Sequence, residues 1–146
     1  MKADPKTEAA VMSVVNQFVE AFKTHHISSG LDLFASDPDV VFIGTGGDEK
    51  CIGLAEIKAE LERAFAQSEQ ALIKIGWYSV SSASLVAWGT ADAVIHATVS
   101  GQEISFPVRL TTVLEQRSGR WLIVQLHASV PAAGQKEGQA WPTDSS

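Results

Sequence analysis

Close to the C-terminal end, the residues Gln125, His127 and Ser129 alternate through RSGRWLIVQLHASVP, residues 117 to 131. An unperturbed imidazole titrates near neutrality, which makes His127 a candidate general base. Gln125 and Ser129 would supply hydrogen bonds beside it. Read with the period of a strand, the stretch puts Trp121, Ile123, Gln125, His127 and Ser129 on one side, and Leu122, Val124, Leu126 and Ala128 on the other. Upstream, Arg109 could steady developing negative charge. Asp92 would pair with that guanidinium and stay charged, which makes it a poor base at pH 7 and suits it to structural pairing.

Turn chemistry brings these residues together. Ser100-Gly101 reads as a two-residue turn that sets Val99 opposite Gln102, and hence Asp92 opposite Arg109, Thr90 opposite Thr111 and His96 opposite Ser105. Arg117-Ser118-Gly119 reads as a three-residue loop, which sets Gln116 opposite Arg120, Arg109 opposite His127 and Thr111 opposite Gln125. One face then carries Trp88, Asp92, Arg109, Thr111, Gln125 and His127, flanked by Val86, Val94, Val113 and Ile123. The other carries Ala91, Ala93, Ile95, Leu110, Thr112, Leu114, Leu122, Val124 and Leu126. The first face is too apolar for open solvent and too polar for a dry core. A ligand pocket and a subunit contact both fit it, and the sequence leaves the two open.

The apolar face needs a cover, and two amphipathic helices supply one. Asp4-Pro5 is a helix start, followed by Val11, Val14, Val15, Phe18, Val19 and Phe22 on one stripe. Leu54, Ile57, Leu61, Ala64 and Phe65 mark a second stripe after Gly53, and a short helix is expected over 28–35. Strand character begins at VVFIG, breaks at Gly46-Gly47-Asp48 and resumes around Lys50 to Ile52. Long strands are expected at 71–80, 84–99, 102–116 and 120–130. Helices first and an antiparallel meander afterwards indicate an α+β fold, with the helices gathered on one face of the sheet. Residues 1–131 are expected to form one domain and 132–146 a loose C-terminal tail. Trp141, within that tail, is either a disordered aromatic or a strap onto its own sheet or a partner's.

Several function classes are disfavoured. The chain has 146 residues, enough for one domain with a real core, and its net charge of −6 without a basic stripe argues against nucleic acid. No apolar run is long enough for a membrane span, and Glu8, Ser13, Asn16 and Gln17 interrupt any secretory signal, so a cytoplasmic protein is expected. Cys51 stands alone, which excludes an intramolecular disulfide, and no activating base is visible for it. The adjacent His25 and His26 point different ways, so no metal is expected. GTGGDE at 44–49 lacks phosphate-loop spacing and reads as a hairpin turn.

The order of elements, with FIGTGGDEKCIGLAEI, PVRLTTVLEQRSGRWLIVQLHASVP and the tail GQKEGQAWPT, resembles the SnoaL-like branch of the nuclear transport factor 2-like superfamily. The most specific part is Trp121, His127, Ser129 and Pro131, preceded by Arg109 and Thr111. The resemblance implies a cone-shaped, barrel-like fold, in which helices pack on a strongly curved, mostly antiparallel sheet around a cavity. It also implies dimers formed through the sheet, and it places Glu49 near the cavity mouth. Members include isomerases, cyclases and dehydratases as well as domains without known activity. The association domain of calcium/calmodulin-dependent protein kinase II looks related in its last two strands, but Ala128 and Thr112 stand where that domain carries arginines. Two readings follow. In one, a homodimer binds a small, partly apolar molecule through Arg109, Gln125, Trp88, Asp92 and Glu49 and shuffles protons with His127, without an organic cofactor. In the other, the chain is a non-catalytic dimerisation or interaction module.

Overall fold

In the computed structural model, which describes residues 1–143, the order of elements is α1 (Pro5–Thr24), α2 (Ile27–Leu31), β1 (Val41–Ile43), β2 (Lys50–Ile52), α3 (Leu54–Ala66), β3 (Gln70–Ala83), β4 (Val86–Val99), β5 (Gln102–Arg117) and β6 (Arg120–Ser129). The six strands form one curved sheet in the order β2-β1-β6-β5-β4-β3, antiparallel throughout except for the parallel pair β1 and β6. The expected α+β cone is the fold of this chain.

Asp4 caps α1 by accepting a 2.7 Å hydrogen bond from the Thr7 amide, which holds its carboxyl below the usual range. The two histidines then make the turn into α2. His25 ends α1 in the left-handed region at φ 54°, and His26 caps α2 by accepting the Ser29 amide on Nδ1 at 3.2 Å. The α2 helix is shorter than expected, because the chain leaves it at Asp32 and the Leu33–Ala35 backbone bonds to Ile123 of β6. Helix α3 follows Gly53, whose φ of 83° turns the chain out of β2.

Helices and sheet share one core. Val11 of α1, Ile57 and Leu61 of α3, and Val80 and Leu114 of the sheet are almost wholly inaccessible to water. Phe18, Phe22, Phe34, Phe42 and Phe65 join α1, α3 and the sheet through ring contacts at centroid distances of 5.0–6.4 Å. On the surface, Arg117 at the end of β5 clamps Asp37 with two bonds of 2.7 and 2.8 Å and so fixes the loop that leads into β1.

The β4–β5 register is the one the Ser100-Gly101 turn implies, with Val99 opposite Gln102 and Asp92 opposite Arg109. The β5–β6 register differs. Ser118 and Gly119, at φ 51° and 77°, make a two-residue turn that sets Arg117 opposite Arg120, and the expected three-residue loop does not form. A bulge then leaves Val124 unpaired between Val113–Gln125 and Leu114–Ile123. Two consequences follow. Trp121 and Ile123 turn into the core, with relative exposures of 9% and 2%, and Leu122 and Val124 lose the inward places expected for them. Beyond the bulge the two one-residue offsets add, so that Arg109 faces Ser129 and Thr111 faces His127. An even total offset preserves which side the later residues point to.

After β6, residues 132–143 make local turns, such as the 3.2 Å bond from the Gln135 amide to the Ala132 carbonyl. Trp141 is 79% exposed, so it does not strap the tail onto its own sheet. The last three residues of the expected tail, 144–146, lie outside the described residues.

Candidate functional site

The sheet has two faces of opposite character, and each was built from the same strands. The helix-facing side encloses a cavity of about 180 Å³. Phe18 and Phe22 of α1, Phe42 of β1, Ile73 of β3, Ile95 of β4, and Leu110, Leu126 and Ala128 wall it. A smaller adjoining space of about 60 Å³ shares Phe18, Ile73, Leu110 and Leu126 as walls and runs between α1 and the sheet toward Val11 and Thr112. The larger cavity has its polar side chains, Thr45, Glu49 and Glu60, at one end, and the smaller space is bordered by Tyr78, Ser79, Thr90 and Thr112 among its apolar walls.

That polar end is assembled by α3 and the β1–β2 hairpin. The turn closes with the Gly44 amide on the Glu49 carbonyl at 2.9 Å and the Glu49 amide on the Gly46 carbonyl at 3.1 Å. Glu49 folds back over this turn, and its Oε2 accepts the Gly46 amide at 2.7 Å. Gly44 lies directly beneath the carboxylate, where a Cβ would collide with it. From α3, Arg63 reaches Asp48 at 2.7 Å, Glu49 at 3.4 Å and Glu60 at 2.8 Å. One guanidinium is thus shared by three carboxylates.

The side chain of Glu60 retains 12% of its exposure and that of Glu49 24%, whereas Asp48 is open to water. Burial pushes the Glu60 carboxyl above the usual glutamate range. The ion pair with Arg63 pulls the other way, and the Glu49 carboxylate adds to the rise. The result is a carboxyl group, set in an apolar cavity, that gains a proton more readily than an ordinary glutamate. Asp48, in contact with Arg63 and water, is held below the usual range. Cys51 is buried nearby, and both burial and the flanking glutamates push its thiol up, which disfavours the thiolate.

Of the candidate site residues named from the sequence, Glu49 alone lines this cavity. Trp88, Asp92, Arg109, Gln125 and His127 share the opposite, outer face. The parity that points Leu110, Leu126 and Ala128 inward points these five outward. Asp92 and Arg109 are register partners, yet among the described residues no ion pair joins them. Both are exposed, and water competes with so open a pair. Trp88 is 40% exposed on this face. Farther along the strands, Lys74, Asp92, Val94, Pro107, Arg109 and Pro131 outline a shallow, open groove.

Glu60 and Arg63 were missed by the sequence reading. The available signal was their phase: Glu60 lies three residues after Ile57 and Arg63 three after Glu60, along the edge of the buried stripe of α3. Among the described residues, no group of three or more His, Cys, Asp or Glu side chains is placed to hold a metal ion, and no helix is long and apolar enough to cross a membrane.

The family model described as a SnoaL-like domain matches residues 11–133. No curated protein matches the sequence significantly. Among solved structures, a nuclear transport factor 2-like superfamily protein from Salmonella enterica superposes with a TM-score of 0.83 at 18% identity, over 95% of this chain and 100% of that one. A candidate dehydratase of the same family from Streptomyces avermitilis gives 0.80 at 20% identity, over 89% and 100%. A candidate calcium/calmodulin-dependent protein kinase II association domain from Xanthomonas campestris gives 0.76 at 22% identity, over 90% of each chain. At these identities the likeness is one of fold, and the fold serves many activities.

Proposed function

The chain belongs to the SnoaL-like domain family, and we propose that it binds a small, largely apolar molecule between helices and sheet and moves a proton on it. Glu60 is the acid/base group in this proposal. Glu49 shares its proton, and Arg63 holds both carboxyls in place. One observation carries the reading: the ionisable lining of a mostly apolar cavity is a carboxyl pair, one member of which burial has shifted toward the protonated form. Such a group can take a proton from carbon and return it at another atom, the elementary step of an isomerisation or dehydration. The fold likeness to a candidate dehydratase agrees with this class of chemistry.

The test uses a plain carbon acid. Wild-type protein in deuterated water should accelerate exchange of the α-protons of cyclohexanone, followed by NMR. Glu60→Gln should lose at least about a hundredfold of that acceleration, the lower range for a positioned acid/base group. Equal rates in the two proteins would refute the role given to Glu60.

A second reading concerns the outer face, and Trp88 favours it. An aromatic left 40% exposed among Val94, Val113 and the Asp92–Arg109 row suits contact with a second copy of the chain. In a two-fold contact each Asp92 could meet the partner's Arg109. His127 and Gln125 would then serve that contact, or a ligand held at it. Sedimentation should show a dimer that Trp88→Glu dissociates; a monomeric wild type would remove this reading and leave the cavity untouched.

A further inference from the structure

We propose that the cavity takes an uncharged molecule built on a single six-membered ring with one oxygen substituent, and that it turns away the corresponding anions. The ring lies among Phe18, Phe22 and Phe42, and the oxygen lies at the Glu49–Glu60 pair. This inference rests on the cavity being the binding site of the proposed function, and it names the ligand class of that site.

Size sets the first limit. A dry cavity of roughly 150 Å³ lined by Leu, Ile and Phe accommodates benzene. The present one, of about 180 Å³ with a space of about 60 Å³ beside it, has room for one ring and a short substituent and too little for a fused polycycle. Away from the end formed by Gly44, Thr45, Glu49 and Glu60, its walls are phenylalanine, isoleucine, leucine and alanine, which suit an apolar ring.

Charge sets the second limit. Among the described residues, no lysine, arginine or histidine lines either space. Arg63, the cation paired with the polar end, is already engaged by Asp48, Glu49 and Glu60. A carboxylate or phosphate would therefore leave water without gaining a positive partner and would face two carboxyl groups. An ammonium group fares little better. Both oxygens of Glu49 already accept hydrogen bonds, from Gly46 and from Arg63, and Arg63 also holds Glu60. A neutral oxygen needs no displaced ion pair: a ketone can accept a proton from Glu60, and a hydroxyl can donate to it.

Three probes of one shape separate the possibilities: cyclohexanone, cyclohexanecarboxylate and cyclohexylammonium, titrated into methyl-labelled protein and followed by NMR. Cyclohexanone should shift the methyl signals of Ile73, Ile95, Leu110 and Leu126 saturably, and each charged probe should bind about tenfold more weakly or worse. Ala128→Leu fills the cavity and should abolish these shifts. Should that variant fold poorly, nuclear Overhauser contacts between cyclohexanone and the wild-type Ala128 and Leu126 methyls report the same location. Equal or tighter binding of either charged probe, shifts that survive in a folded Ala128→Leu, or no saturable binding of cyclohexanone would overturn the inference. Binding of cyclohexanone without accelerated proton exchange would instead refute the acid/base function and leave the ligand class standing.

Discussion

The two faces of the sheet carry ionisable groups in opposite circumstances. On the outer face, Asp92, Arg109 and His127 project from strands in register, and water reaches the first two freely. On the helix-facing side, Glu60 is largely buried and shares Arg63 with Glu49. Burial costs a charge several kcal/mol unless it is paired, so Glu60, buried and paired, feels two opposing pulls, whereas the exposed Asp48 feels chiefly its pairing with Arg63. The constellation that looks chemical in sequence is therefore not the one that lies against the cavity. The difference comes from depth rather than from residue type.

The contrast can be broken most forcefully from the core. Leu114 is fully buried on the helix-facing side of β5, and Leu114→Ala should cost about 2–5 kcal/mol, measured by urea unfolding. His127→Ala, on the outer side of β6, should change the stability of the monomer by no more than about 0.5 kcal/mol. Comparable losses would mean that the two faces do not differ as described.

A smaller effect should appear in the pH dependence of stability. The folded chain holds the Glu60 proton more tightly than the unfolded chain does. The stability this lends is complete below the ordinary glutamate value and is lost as pH rises through the raised folded value. Glu60→Gln cannot ionise, so wild type should lose melting temperature relative to the variant across that window. Asp37, held down by Arg117, has the opposite sign: its contribution is present above the ordinary aspartate value and fades as pH falls through the lowered one. Asp37→Asn should accordingly flatten the acid side of the curve and leave the Glu60 window unchanged.

The smallest perturbation is steric. Gly44→Ala retains both carboxyls yet places a methyl group against Glu49. It should reduce cyclohexanone exchange with little change in stability, and an unchanged rate would mean that the seat of Glu49 over the turn is immaterial.

The fold was legible because hydrophobic period and turn residues are local properties. The α1 and α3 stripes and the Ser100-Gly101 turn each specify their own neighbourhood, and the β4–β5 register follows directly from that turn. The β5–β6 register was harder, because Arg117 belongs to the strand and not to the loop, leaving Ser118-Gly119 as a two-residue turn like Ser100-Gly101, and because the bulge at Val124 has no glycine to mark it. The site was least legible. Glu60 and Arg63 look like ordinary solvent-side residues of an amphipathic helix. Only the packing of α3 against the β1–β2 hairpin, a contact between separate elements, closes water off from Glu60 and brings Glu49 to the same guanidinium.

The most direct test is a carboxyl-carbon NMR titration of Glu60, with and without cyclohexanone. Glu60 should titrate above the ordinary glutamate range, and its signal should move when the ketone occupies the cavity. An ordinary titration curve that is indifferent to the ketone would contradict the assignment of this carboxyl as the working group of the cavity.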